Sequence, residues 1–160
     1  MTLASWLLMR RLFLALVVAC FPLSVWAQVV STCDWRASAR AVVEPWEENS
    51  RTFANGAIRV ALLDIIEPAA GASYLLILTR PYDEIGDRQC FVIGFGNGVG
   101  YADMSFSELA SAYDPARGLI LTIPVQIFLP EESFRNSAQL EITVNQATGI
   151  VAATSTLGGE

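Results

Sequence analysis

The chain has 160 residues, with 16 acidic side chains against 10 basic ones and a net charge of −6; it contains no histidine, and every basic residue is an arginine. Without imidazole there is no Ser-His-Asp or Cys-His nucleophile and no histidine zinc site, and without lysine there is no Schiff base, Ser-Lys dyad or Walker-type phosphate site. The acidic balance argues against nucleic acid or an anionic membrane surface as partner, since both need positive patches.

Residues 1–27 have the form of an export signal. Arg10 and Arg11 supply a positive patch. The apolar run over 12–19 is too short for a membrane span, which takes roughly 20 residues. Val25-Trp26-Ala27 places small residues where a signal peptidase reads them. Two variants exist. Val17-Val18-Ala19-Cys20 is similar to a lipoprotein box with Cys20 as anchor, although the residues after it are mostly apolar rather than a polar tether. Met9-Arg10-Arg11-Leu12 also makes an ordinary signal opening, so Met9 is an alternative start. Cleavage after Ala27 predicts one exported domain over 28–160, periplasmic or secreted, with no transmembrane segment. The leader holds two of the 10 basic residues and none of the acids, so that domain is more acidic than the whole chain.

Cys33 and Cys90 are the cysteines left after processing. In an oxidising compartment such a pair is expected as a disulfide. It would close a loop of about 58 residues and stabilise the fold by roughly 4 kcal/mol on the chain-entropy model. Trp35 and Trp46, with Glu44, Glu47 and Glu48, form the candidate binding cluster. Aromatic faces beside carboxylates suit sugars, or the arginines and lysines of a cationic protein. Bulky aromatics usually bury, so the plainer expectation makes both tryptophans core residues near the disulfide, with the glutamates solvated.

Residues 40–43 are a possible first strand. Asn55-Gly56 predicts a hairpin between residues 51–54 and 57–66. The second arm is apolar on both faces, which places it in the middle of a sheet or between two layers. Asp64 lies inside that run, where burial would raise its pKa and call for a partner such as Arg59, Arg80 or Arg88. Residues 73–80 and 88–95 read as further strands around a polar loop. Asp83, Glu84 and Asp87 in that loop offer oxygen ligands for calcium but lack the alternating pattern of a calcium loop.

The glycine-rich stretch 94–100 fails both the dinucleotide and the Walker spacing, and predicts a mobile loop or bulge. Residues 106–113 predict a helix: Ser105 and Glu108 have capping-box spacing, and Phe106, Leu109, Ala110 and Tyr113 make one apolar stripe. After Gly118 the residues Leu119, Leu121, Ile123, Val125, Ile127 and Leu129 alternate cleanly, and Pro124 predicts an edge or a bulge. Leu140, Ile142 and Val144 alternate in the same way, and residues 145–149 turn them into a last strand over 150–154. The end of the chain, from Leu157, reads as a loose tail.

These elements predict a mostly β chain, an antiparallel β-sandwich or small barrel of about seven strands with one packed α-helix. The functional expectation is a non-enzymatic binding or interaction module of the cell envelope, with no cofactor and no resident metal. Its partner would be a cationic envelope protein, for instance a cationic envelope-degrading enzyme that it inhibits, or a glycan. The alternatives are a carboxylate-dependent glycan hydrolase drawing on Glu47, Asp64, Asp83 or Glu131, and a calcium-binding structural domain. The sequence singles out no catalytic residue.

Overall fold

The computed structural model describes residues 26–27, 29–96, 98–131 and 133–158. Residues 1–25, which hold most of the expected export signal together with Met9 and Cys20, lie outside the described residues. The described chain is mostly antiparallel β, in two sheets. The first contains β1 (Trp26–Ala27), β7 (Asp103–Met104), β8 (Ala110–Asp114), β9 (Gly118–Leu129), β10 (Phe134–Val144) and β11 (Val151–Leu157). Its order is β1-β11-β10-β9-β7, with β8 also paired to β9. The second contains β2 (Val29–Thr32), β3 (Ser50–Phe53), β4 (Ile58–Asp64), β5 (Ser73–Tyr82) and β6 (Arg88–Gly94), in the order β2-β6-β5-β4-β3. Neither sheet closes on itself among the described residues, so the small-barrel alternative is not realised.

Period-two alternation builds the core. Along β9 every second residue from Leu119 to Ile127 is buried. Leu121 and Ile123 meet Leu140 and Ile142 of β10, and the same cluster takes in Val60, Leu75, Ile77 and Ile93 from the second sheet. Burying each such side chain contributes roughly 1.5–3 kcal/mol, so the shared cluster is the main force joining the sheets. The hairpin at Asn55-Gly56 forms as expected, with φ of 55° and 80° at those two residues. β4 is flanked by β3 and β5 and buries residues on both faces, as its two-sided apolar pattern requires.

The predicted helix over 106–113 is absent. In its place are a 3-10 turn, Phe106–Glu108, and the strand β8. Ser105 makes no side-chain capping bond. The apolar stripe splits in two: Phe106 and Leu109 enter the core, whereas Tyr113 is 69% exposed. A helix of two turns is marginal alone, and pairing with β9 satisfies backbone groups that a helix here would leave open on that strand. Asp114 drives the return. Its carboxylate accepts the N–H groups of Ala116 and Arg117 at 2.7 and 2.9 Å, and these bonds hold its pKa below the usual carboxylate value. Gly118, at φ +94°, completes the turn.

Pro124 lies neither at an edge nor at a bulge. It sits inside β9, paired with Gln139 on one side. On the other side β8 pairs up to Thr122 and β7 pairs from Val125, so proline falls in the break between them. Its carbonyl still accepts Ser105 N–H at 3.0 Å, and the missing donor faces the 3-10 turn. The expected first strand over 40–43 is also replaced, by a 3-10 turn Ala39–Ala41 and a lone bridge from Val42 to Leu63.

Candidate functional site

The outer face of the second sheet carries its own apolar cluster, in which Leu63, Tyr74 and Val92 are covered by Ala41. The cover is the segment from Cys33 to Asn49, which is not a strand but is tied down along its length. The Cys33–Cys90 disulfide is formed, with Cα atoms 5.3 Å apart, and Cys33 N–H donates to Cys90 O at 3.0 Å. Further along, Val43 N–H donates to Leu62 O at 3.1 Å, and Leu62 N–H donates to Asn49 O at 2.9 Å.

Arg36 is the third tie. It pairs with Asp34 at 2.8 Å, donates to Ser31 Oγ at 3.1 Å and lies 5.0 Å from the centre of the Tyr74 ring. The Arg36 hydrogen bonds hold the Asp34 carboxyl below its usual pKa, and the same pair pushes the guanidinium up. The glycine-rich stretch closes round the same ring. A Cβ at Gly94 would stand 2.7 Å from Tyr74 Cε1, and one at Gly100 would stand 2.7 Å from Cε2. Tyr74 OH donates to Gly98 O at 2.5 Å. Gly94 and Gly100 are there for close approach, and together they make a collar round the ring.

The tryptophans are not core residues. Trp35 is 66% exposed and Trp46 52% exposed, which corrects the plainer sequence expectation. The physical reason lies in the cluster beneath, which Cys33, Ala37, Ala41 and Val42 already cover. Glu44, Glu47 and Trp46 line one open recess. Glu48 is exposed beside it in the chain. Trp46 also borders a groove of about 410 Å³ along the outer face, with Arg59, Ala61 and Leu76. Arg51, at the same groove, is committed elsewhere: it donates to Leu109 O at 2.9 Å and lies over the Phe106 ring. Trp35 lines a different pocket, of about 290 Å³, with Arg40, Asp64 and Ile66. No described cavity contains both tryptophans.

Asp64 is exposed at the end of β4, not buried in an ion pair. Its Oδ1 accepts Ile66 N–H at 2.7 Å. Of the proposed arginine partners, Arg88 donates instead to Gly56 O and Ala57 O. Asp83 Oδ1 accepts the N–H groups of Ile85 and Asp87 at 3.0 and 2.8 Å, so this carboxylate shapes its own loop. Among the described residues no three His, Cys, Asp or Glu side chains converge as metal ligands would. Glu131 borders a fourth cavity, of about 600 Å³, walled by Phe95, Ile127, Leu129 and Leu157 at one end of the two sheets. Ser155 on its wall pairs with Trp26 of β1, so this cavity stands where the N-terminal segment joins the sheet. Glu47, Asp64, Asp83 and Glu131 therefore occupy separate parts of the surface.

Sequence reasoning missed Arg40 and Ile66, and it missed the cavity beside Glu131. Arg40 was absorbed into an expected strand, and Ile66 looks like the continuation of β4 until its φ of +71° is known. The cavity draws on several distant strands, which no local pattern reports. No family model, curated protein or solved structure matches the chain. Among the described residues no helix is long and apolar enough to cross a membrane.

Proposed function

We propose that the chain is an exported β-sandwich interaction module, without enzymatic activity, that docks a cationic protein of the cell envelope on the acidic surface around Trp46. The observation that carries this is the half-exposed Trp46 ring in one recess with Glu44 and Glu47. An exposed indole among carboxylates suits a guanidinium or ammonium group, which the ring face attracts and the carboxylates pair. Tryptophan and arginine are also the residues that most often anchor protein interfaces. The net charge of −6 steers a cationic partner from a distance.

The core shared by the two sheets supports the sandwich, and the disulfide supports an oxidising compartment, periplasmic or secreted. The leader over residues 1–27 belongs to the same proposal. N-terminal sequencing of the exported protein is expected to start at Gln28, and a start at Cys20 or at Met1 would contradict it.

A peptide of alternating arginine and glycine, titrated at low salt, is expected to bind. Trp46→Ala combined with Glu47→Gln should weaken it about tenfold, the loss of roughly 1.4 kcal/mol that a cation–π contact and its ion pair supply. About 0.5 M salt should suppress it in the wild type, because exposed charges are then screened within a few ångströms. Equal affinity in the wild type and the double variant overturns the reading.

A further inference from the structure

Trp35 lines a pocket separate from the recess and the groove at Trp46. Its neighbours on both sides are fixed: Cys33 by the disulfide, and Asp34 and Arg36 by their ion pair at 2.8 Å. The loop is tied at these neighbours, yet its largest side chain is 66% exposed. On the same 290 Å³ pocket stands Ile66, which is 74% exposed. Its φ of +71° is a region that a β-branched residue rarely enters. Asp64 Oδ1 holds that backbone by accepting Ile66 N–H at 2.7 Å, and Ile65 N–H is fixed on Ala72 O at 3.1 Å. Two bulky apolar side chains thus face solvent on one pocket, one of them on strained backbone. Strain of this kind gathers at ligand sites.

The rim of the pocket is polar and balanced. Arg40 is exposed and makes no ion pair among the described residues. Asp64 uses Oδ1 for the backbone and accepts no further hydrogen bond from the described residues on Oδ2. The floor is apolar, from Ala41 and Ile65.

We propose that this pocket binds one pyranose ring of a neutral glycan. A pyranose presents an apolar C–H face and a rim of hydroxyl groups that both donate and accept. The face stacks on Trp35 and packs against Ile66, while the hydroxyls donate to Asp64 Oδ2 and accept from the Arg40 guanidinium. The two rim charges are opposite in sign, so the rim carries no net charge to favour an ion. Small-molecule pockets commonly begin at roughly 300 Å³, so this volume suits one ring at a time.

The test uses protein expressed from the full 160-residue sequence, titrated separately with chitotriose, cellotriose and maltotriose. At least one trisaccharide is expected to bind, with an affinity that salt leaves unchanged. Trp35→Ala should weaken it at least about tenfold, Trp35→Phe should restore part of the loss, and Trp46→Ala should have no effect. Arg40→Gln, which touches no core contact, should weaken it severalfold and covers the case in which Trp35→Ala fails to fold. The proposal is overturned if no trisaccharide binds, if Trp35→Ala or Arg40→Gln binds as the wild type does, or if free amino acids occupy the pocket in place of sugars. Because the Arg-Gly peptide is read out at Trp46 and is salt-sensitive, either reading can fail without the other.

Discussion

Tyr74 organises the covering segment by being buried on a sheet face that would otherwise meet water. Arg36 lies over its ring, and Gly94 and Gly100 leave room along its edges. Gly100→Ala is expected to destabilise the fold by about 1–3 kcal/mol, because overpacking a tight site forces backbone to move. A Cβ there would stand 2.4 Å from Ser73 O as well as against the ring. Chemical denaturation measures the loss; an unchanged midpoint would remove the collar from the account. Asp34 gives a pH test. Its pKa is lowered in the folded protein, so its contribution is fully present above the unfolded value of about 4 and is lost as pH falls through the lower folded value. Asp34→Asn should therefore cost about 0.5 kcal/mol at neutral pH, the scale of a partly exposed pair, and progressively less as the pH falls through the folded pKa. At this scale the sequence is least informative. The glycine spacing suggests a mobile loop or a bulge, and only a tyrosine on another strand explains it.

The strands were legible where burial alternates strictly, as in β9, and where both faces are apolar, as in β4. The 106–113 stretch was not, because an i, i+3, i+4, i+7 stripe also arises when two buried residues precede an exposed strand. Ala112 distinguishes the two structures. It is exposed on β8 and faces Ile120 across the pair. In a strand, Ala112→Val should stabilise by roughly 0.5 kcal/mol through a β-branched cross-strand pair, whereas in a helix it should destabilise by a similar amount. Urea unfolding reads the sign directly. Pro124 teaches a related lesson: a proline can occupy an interior strand where its neighbour strands change over, and nothing local announces that change.

Across the whole molecule, the Cys33–Cys90 pairing was legible from the cysteine count, but strand order and the exposure of the tryptophans were not. Both depend on contacts between segments far apart in the chain. The disulfide closes a loop of sequence separation 57 and anchors the cover that carries both candidate surfaces. Replacing both cysteines with serine is expected to cost about 2–4 kcal/mol, and to weaken peptide and sugar binding together. A thermal midpoint unmoved by the double substitution would contradict that. β1 consists of the last two residues of the expected leader, so cleavage after Ala27 would leave β11 as the edge of the first sheet.

The most direct measurement is affinity capture from envelope extract, with the wild-type protein and the Trp46→Ala, Glu47→Gln variant as parallel baits. The predicted result is a discrete basic protein held by the wild type, released by salt and missing from the variant. Identical captures from both baits, or none from either, would contradict the assignment of this surface to a cationic envelope partner.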